Sequence, residues 1–156
     1  MPFLKELNAS KNMLLDTLLA DSDFVNLVSG QPDTPLPALN LKHTQVFPIG
    51  WTDEAVSEAK TFVCFDIDVD STPSNAVSNF KLFVWIFTHN TLIYTENGVL
   101  VDEIANRIDQ LINGSTEMGF GKVKLESVGR WTPNADYYGR VLKYHIQGWN
   151  RCGSRL

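Results

Sequence analysis

Phe80-Lys81-Leu82-Phe83-Val84-Trp85-Ile86-Phe87-Thr88-His89, followed after a connector ending in Glu96-Asn97-Gly98 by Val99 to Asn113, decides the fold. In the first part, both alternating sets are apolar: Phe80, Leu82, Val84 and Ile86 on one side, Phe83, Trp85 and Phe87 on the other. Neither side can be turned fully to water, so the stretch predicts a central strand. In the second part, Val101, Ile104, Ala105, Ile108, Leu111 and Ile112 recur at helical spacing, while Asp102, Glu103, Asn106, Arg107, Asp109 and Gln110 lie off that stripe. This is an amphipathic helix that docks one face on a sheet and leaves the other in water.

Upstream, Thr61 to Asp70 alternates with Val63, Phe65, Ile67 and Val69 on one side and Cys64, Asp66, Asp68 and Asp70 on the other. The pattern predicts a strand with one dry face. The loop Ser71 to Ser78, rich in Ser, Pro and Asn, permits an antiparallel return into the central strand. A first helix is expected from Ser10, acting as its cap, through Leu14, Leu15, Leu18 and Leu19, with a second helical turn from Ser22 closed at Gly30. The prolines of Gln31 to Pro37 exclude regular structure there, and Leu39 to Trp51 reads as a short extended piece packed under the sheet. Together 31–51 is expected to form an extended arm. Thr52 to Ala59 suits a helical turn or a loop. Lys122 to Val128 and Tyr138 to Trp149 are the closing strands, separated by a loop from Gly129 to Asp136; residues 150–156 form a flexible tail. The chain therefore reads as one α+β domain over 1–156: a mainly antiparallel sheet covered by an N-terminal helix and a central amphipathic helix.

With 156 residues, 44% of them hydrophobic, a core is affordable without staples, and a net charge of −5 argues against non-specific nucleic-acid binding. Two cysteines, Cys64 and Cys152, give neither metal spacing nor a disulfide framework. No secretory signal or spanning apolar run is legible, which leads to the expectation of a protein made in a cytosol.

Asp66, Asp68 and Asp70 share a strand face, as a metal-dependent hydrolase would require. The preferred reading is a solvated or partner-bound acidic face, because no convergent base or further ligand is legible nearby. His43, His89 and His145 are distant in sequence, Ser115 and Ser127 lack a nucleophile context, and Gly119-Phe120-Gly121-Lys122 follows a helix instead of preceding one. No catalytic residue, metal ligand or cofactor is assigned. Arg130, Trp131, Tyr137 and Tyr138, the residue types that dominate interface energetics, fall on a predicted loop around Pro133, where they read equally as a partner surface or as aromatics packed over the sheet edge.

From His43 onward the sequence resembles a group of small virion proteins of tailed bacteriophages and prophages of Gram-positive hosts. The resemblance is carried by Val46–Trp51, Glu58–Val69, Trp85–His89, Asp102–Gly114, Gly119–Ser127 and Tyr138–Tyr144. The order of elements is similar to that of tail terminator proteins. That resemblance implies a non-enzymatic subunit of the virion neck, assembled in the host bacterial cytoplasm. It would form a ring, expected to be hexameric, that stops tail growth and joins tail to head. The implied partners are further copies of the chain, the tail tube protein, head connector or adaptor proteins and the sheath. No membrane or sequence-specific nucleic acid is implied, although DNA would pass through the lumen. A connector or tail completion protein is the neighbouring alternative. A ring needs two different patches on each subunit. The expected ones are the acidic Asp66, Asp68 and Asp70, and a set comprising Lys122, Lys124, Arg130 and Arg140 together with Trp131, Tyr137 and Tyr138.

Overall fold

A computed structural model describes residues 2–30, 41–50, 59–71, 77–116 and 121–149. It is a single α+β domain. The elements are α1 (Pro2–Leu19), α2 (Ser22–Ser29), β1 (Val46–Phe47), β2 (Thr61–Ser71), β3 (Val77–His89), β4 (Tyr94–Thr95), β5 (Gly98–Val99), α3 (Leu100–Ile112), β6 (Val123–Trp131) and β7 (Tyr137–Trp149). Five strands form one sheet in the order β1-β2-β3-β7-β6, and β4 and β5 make a separate hairpin. All pairs in the main sheet are antiparallel except β1 with β2. No described helix is long and apolar enough to cross a membrane.

The doubly apolar strand is β3, flanked by β2 and β7 as its composition requires. Phe80, Leu82, Val84 and Ile86 are buried in the main core with Val63, Phe65 and Ile67 of β2 and Leu142, Tyr144 and Ile146 of β7. Helix α3 contributes Val101, Ile104, Ile108 and Ile112 to this core, while α1 adds Leu14, Leu15 and Leu18. Each such side chain contributes about 1.5–3 kcal/mol on burial.

Four expectations change. Ser10 does not cap α1: the helix begins at Pro2, where a missing N–H costs nothing, and Ser10 is buried in its middle. Val46 and Phe47 do not lie under the sheet but join its edge, parallel to β2. Strand β6 continues to Trp131, so Arg130 and Trp131 stand opposite Arg140 and Gly139 in the ladder, and only Thr132 to Asp136 remain as a loop. The division of β2 into a dry and a wet face holds only from Asp66 onward. Phe62 and Cys64 are buried with Phe87 and Tyr137 in a second cluster, against which Phe47, Trp85 and Trp131 pack. Expectations for 31–40, 51–58, 72–76, 117–120 and 150–156 lie outside the described residues.

The corner between α1 and α2 is tied to α3 by one carboxylate. Asp21 Oδ2 accepts from Phe24 N at 2.9 Å, capping α2, and from Arg107 Nε at 2.8 Å. Oδ1 accepts from Arg107 Nη2 at 2.5 Å. These bonds favour the ionised form, and the Arg107 hydrogen bond, the largest cause, holds the Asp21 carboxyl below its ordinary 3.8. A lowered carboxyl stabilises the fold above the unfolded value and ceases to do so as pH falls through the folded one. Asn retains a capping oxygen but carries no charge, so wild type is expected to exceed Asp21→Asn in urea midpoint at pH 7. That advantage should shrink once the pH drops below 3.8. A gap independent of pH would show that the charge is not what matters.

Candidate functional site: the sheet face turned from the helices

Register places the side chains that face away from the helices. Across one row run Asp68 on β2, Lys81 on β3, His145 on β7 and Lys124 on β6; across the next run Asp66, Phe83, Lys143 and Ser127. The Phe83 and Trp85 rings stack with centroids 5.8 Å apart, and Lys143 Nζ lies 5.8 Å from the Phe83 centroid. Lys81 Nζ reaches Glu126 at 3.3 Å. This face is thus acidic on β2 and basic on β3 and β7, while β6 brings both Lys124 and Glu126 to it.

The three aspartates are not equivalent. Asp66 Oδ1 lies 2.6 Å from Lys11 Nζ of α1 and accepts from Ile67 N at 2.9 Å, so it is already engaged within the chain. Asp68 is exposed, and the Asp70 side chain lies outside the described ones. Among the described residues, no three His, Cys, Asp or Glu side chains converge to hold a metal. The histidines are also apart. His89 ends β3, where Nδ1 accepts from Thr91 N at 3.2 Å. His145 stands opposite Lys81, roughly 27 Å back along that strand. His43 is exposed in a turn. Burial pushes the Cys64 thiol up to about 12, which leaves it protonated and unreactive at neutral pH. Burial, together with a hydrogen bond donated to Asp109 Oδ1 at 2.9 Å, likewise raises the Tyr144 phenol well above its ordinary value.

The residues expected at a second patch divide three ways. Tyr137 is buried, stacking edge-on against Phe87 at 5.9 Å and His89 at 5.3 Å, and Trp131 packs on Phe87 at 5.4 Å. These two serve the aromatic cluster. Arg140 donates from Nε to Asp102 Oδ1 at 2.8 Å, tying β7 to α3, while Arg130 lies 6.0 Å over the ring of Tyr138. Lys122, Lys124 and Arg130 are exposed on or beside β6, the last strand of the sheet.

A further feature not legible in the sequence is a groove. It has a volume of about 830 Å³ and runs between the end of α2, the start of β2 and the β4–β5 hairpin. Gln45 closes its floor, Nε2 donating to Val28 O at 3.2 Å and Thr61 O at 3.0 Å. Its rim carries Tyr94, 84% exposed, and Leu92, 39% exposed. Exposed aromatics on a two-residue strand leave only a weak sequence signal, because the hairpin's meaning depends on what α2 and β2 bring beside it.

The family model YomW matches residues 11–146. The chain belongs to the YomW family. The matched span runs from Lys11 in α1 to Ile146 in β7, so the YomW match takes in every buried residue of the main core. Among solved structures, a chain of the virion of a native gene transfer agent particle is similar at a TM-score of 0.55 and 12% identity. The alignment covers 87% of this YomW-family chain and 91% of that one. At this identity the likeness establishes the shared fold. No curated protein matches the sequence.

Proposed function

We propose that this YomW-family protein is a structural, non-enzymatic subunit of a phage-type virion. In this reading it is the tail terminator, which closes a ring on the head-proximal end of the tail tube, stops tail growth and joins the tail to the head connector. The observation that carries the reading is the fold shared nearly end to end with a chain of a gene transfer agent virion. The described surface supports it: charged side chains and the stacked Phe83 and Trp85 lie on the sheet face turned from the helices, and among the described residues no set of His, Cys, Asp or Glu converges to hold a metal. Fold likeness is an argument by analogy, so the role rests on its test.

A cyclic ring joins one lateral patch to a different one on the next copy. Asp68 on β2 and Lys124 on β6 stand in the same row on the same face, near opposite sides of the sheet, as a side-by-side contact requires. Arg130 lies further along β6. Disrupting the gene should yield particles with unjoined heads and tails of uncontrolled length, and the protein should be found in purified wild-type particles. Normal joined tails without it would reject the role. Asp68→Lys or Arg130→Glu should leave folding intact, since both residues are exposed, but impair tail joining by tenfold or more, on the order of 1.4 kcal/mol of interface energy.

A further inference from the structure

We infer that Asn97 is a self-modification site: its side-chain amide is lost as the backbone nitrogen of Gly98 closes on it to form a cyclic imide, while the fold holds the chain's second Asn-Gly pair, Asn113-Gly114, intact. The inference does not depend on the ring reading. It needs only the two dipeptides and their surroundings.

Asn-Gly occurs twice in the sequence, at 97–98 and at 113–114. In each pair the glycine nitrogen can reach the Asn carbonyl carbon by closing a five-membered ring, and glycine has no Cβ to obstruct the approach or to bar the backbone angles that it needs. Hydroxide removes the proton from the glycine N–H. The nitrogen then bonds to Cγ, the Cγ–Nδ2 bond breaks, and Nδ2 takes up a proton and leaves as ammonia, which returns the hydroxide. Water opens the imide at either of its carbonyls. One opening gives aspartate; the other gives isoaspartate, in which the backbone runs through the side-chain carbon.

Exposure does not separate the two pairs, because all four residues are exposed. Bonding does. Asn113 Oδ1 accepts from Leu125 N at 3.1 Å, and its Nδ2 donates to Asp109 Oδ2 at 3.5 Å. The nucleophile is engaged as well: Gly114 N donates to Val123 O at 2.6 Å, and Val123 is buried in the main core. Attack at Asn113 therefore requires the end of α3 to part from β6.

At Asn97 the side-chain amide makes no hydrogen bond among the described residues; only its backbone N is held, donating to Thr95 Oγ1 at 3.2 Å. The residue stands at the tip of the β4–β5 hairpin, which is separate from the main sheet and pairs only Tyr94 with Val99 and Thr95 with Gly98. A lone two-stranded hairpin is marginal, and such elements open locally at far lower cost than the core. Thr95 Oγ1 ties the hairpin to α3 through Glu103 Oε2 at 2.8 Å, but that bond does not involve the reacting atoms. Gly98 has φ 134°, a conformation that L side chains rarely adopt, so the turn itself demands the residue that leaves the nitrogen unhindered. Either product puts a new carboxylate next to Glu96.

The test holds the purified protein in warm, mildly alkaline buffer and follows its peptides by mass spectrometry, with isoaspartate labelled by an isoaspartyl methyltransferase. Conversion at Asn97 should outrun conversion at Asn113 by about tenfold or more, equivalent to about 1.4 kcal/mol of protection. In urea the same two sites should convert at rates within about twofold of each other, since identical dipeptides then lie in an unfolded chain. Asn97→Gln should remove most of the acidic species that accumulates on ion exchange. Equal rates at the two sites in the folded protein, faster conversion at Asn113, or an Asn97 that stays intact while the urea sample converts would each overturn the inference.

Discussion

Gly139→Ala is expected to cost the protein about 3 kcal/mol, the upper part of the usual range for overpacking. A Cβ at Gly139 would stand 2.3 Å from Ile86 O, 2.8 Å from Trp131 O and 2.9 Å from the Phe87 Cβ. Two of these obstacles are backbone carbonyls of the strands on either side of β7, which cannot swing aside as a side chain does. Relief would require widening the β3–β7 and β7–β6 spacings at once, next to the cluster of Phe87, Tyr137 and Trp131. Gly129→Ala is the matched control: its Cβ would meet Val141 Cγ1 at 3.6 Å, an ordinary contact, and the effect should stay within about 0.5 kcal/mol. Thermal or urea unfolding should separate the two, with a fall of about 6–12 °C in Tm for Gly139→Ala. Equal behaviour of the two variants would show that the strands yield at position 139.

Ile104→Ala should cost about 3 kcal/mol, within the spread known for large-to-small core substitutions. Ile104 is fully buried at the middle of the α3 stripe, between Val101 and Ile108, where the helix packs on the sheet. The cavity cannot collapse easily, because α3 is held at one point by Arg107 on Asp21 and at another by Arg140 on Asp102. Asn106→Ala, two residues away on the exposed face, should change stability by no more than about 0.5 kcal/mol. Urea midpoints with unchanged slopes are the measurement. A small loss at Ile104 would mean that α3 docks loosely.

How far the candidate surface could be read ahead of the structure varied with the residue. The exposure of Asp68 followed from strand alternation, but the Lys11 partner of Asp66 comes from a helix more than fifty residues upstream. Arg130, Trp131, Tyr137 and Tyr138 read as one loop because Gly129 and Pro133 look like punctuation. In the sheet their alternation sends Tyr137 and Trp131 to the aromatic cluster and Arg130 and Tyr138 to the helix side. The groove had only a weak sequence signature, since α2, β2 and the hairpin contribute only fragments to it.

Hydrophobic periodicity by itself determined that β3 is central, that α3 is amphipathic, that β2 and β7 are strands and that the domain is α+β. These are local properties: a period of two or of 3.6 states which atoms must leave water, whatever covers them. Only the tertiary structure decided that Val46 and Phe47 extend the sheet, that Gly139 has no room for a methyl group and that Asp66 is consumed by Lys11. Each of those depends on the distance between segments remote in the chain, which strand register and helix docking set and which no spacing within one segment encodes.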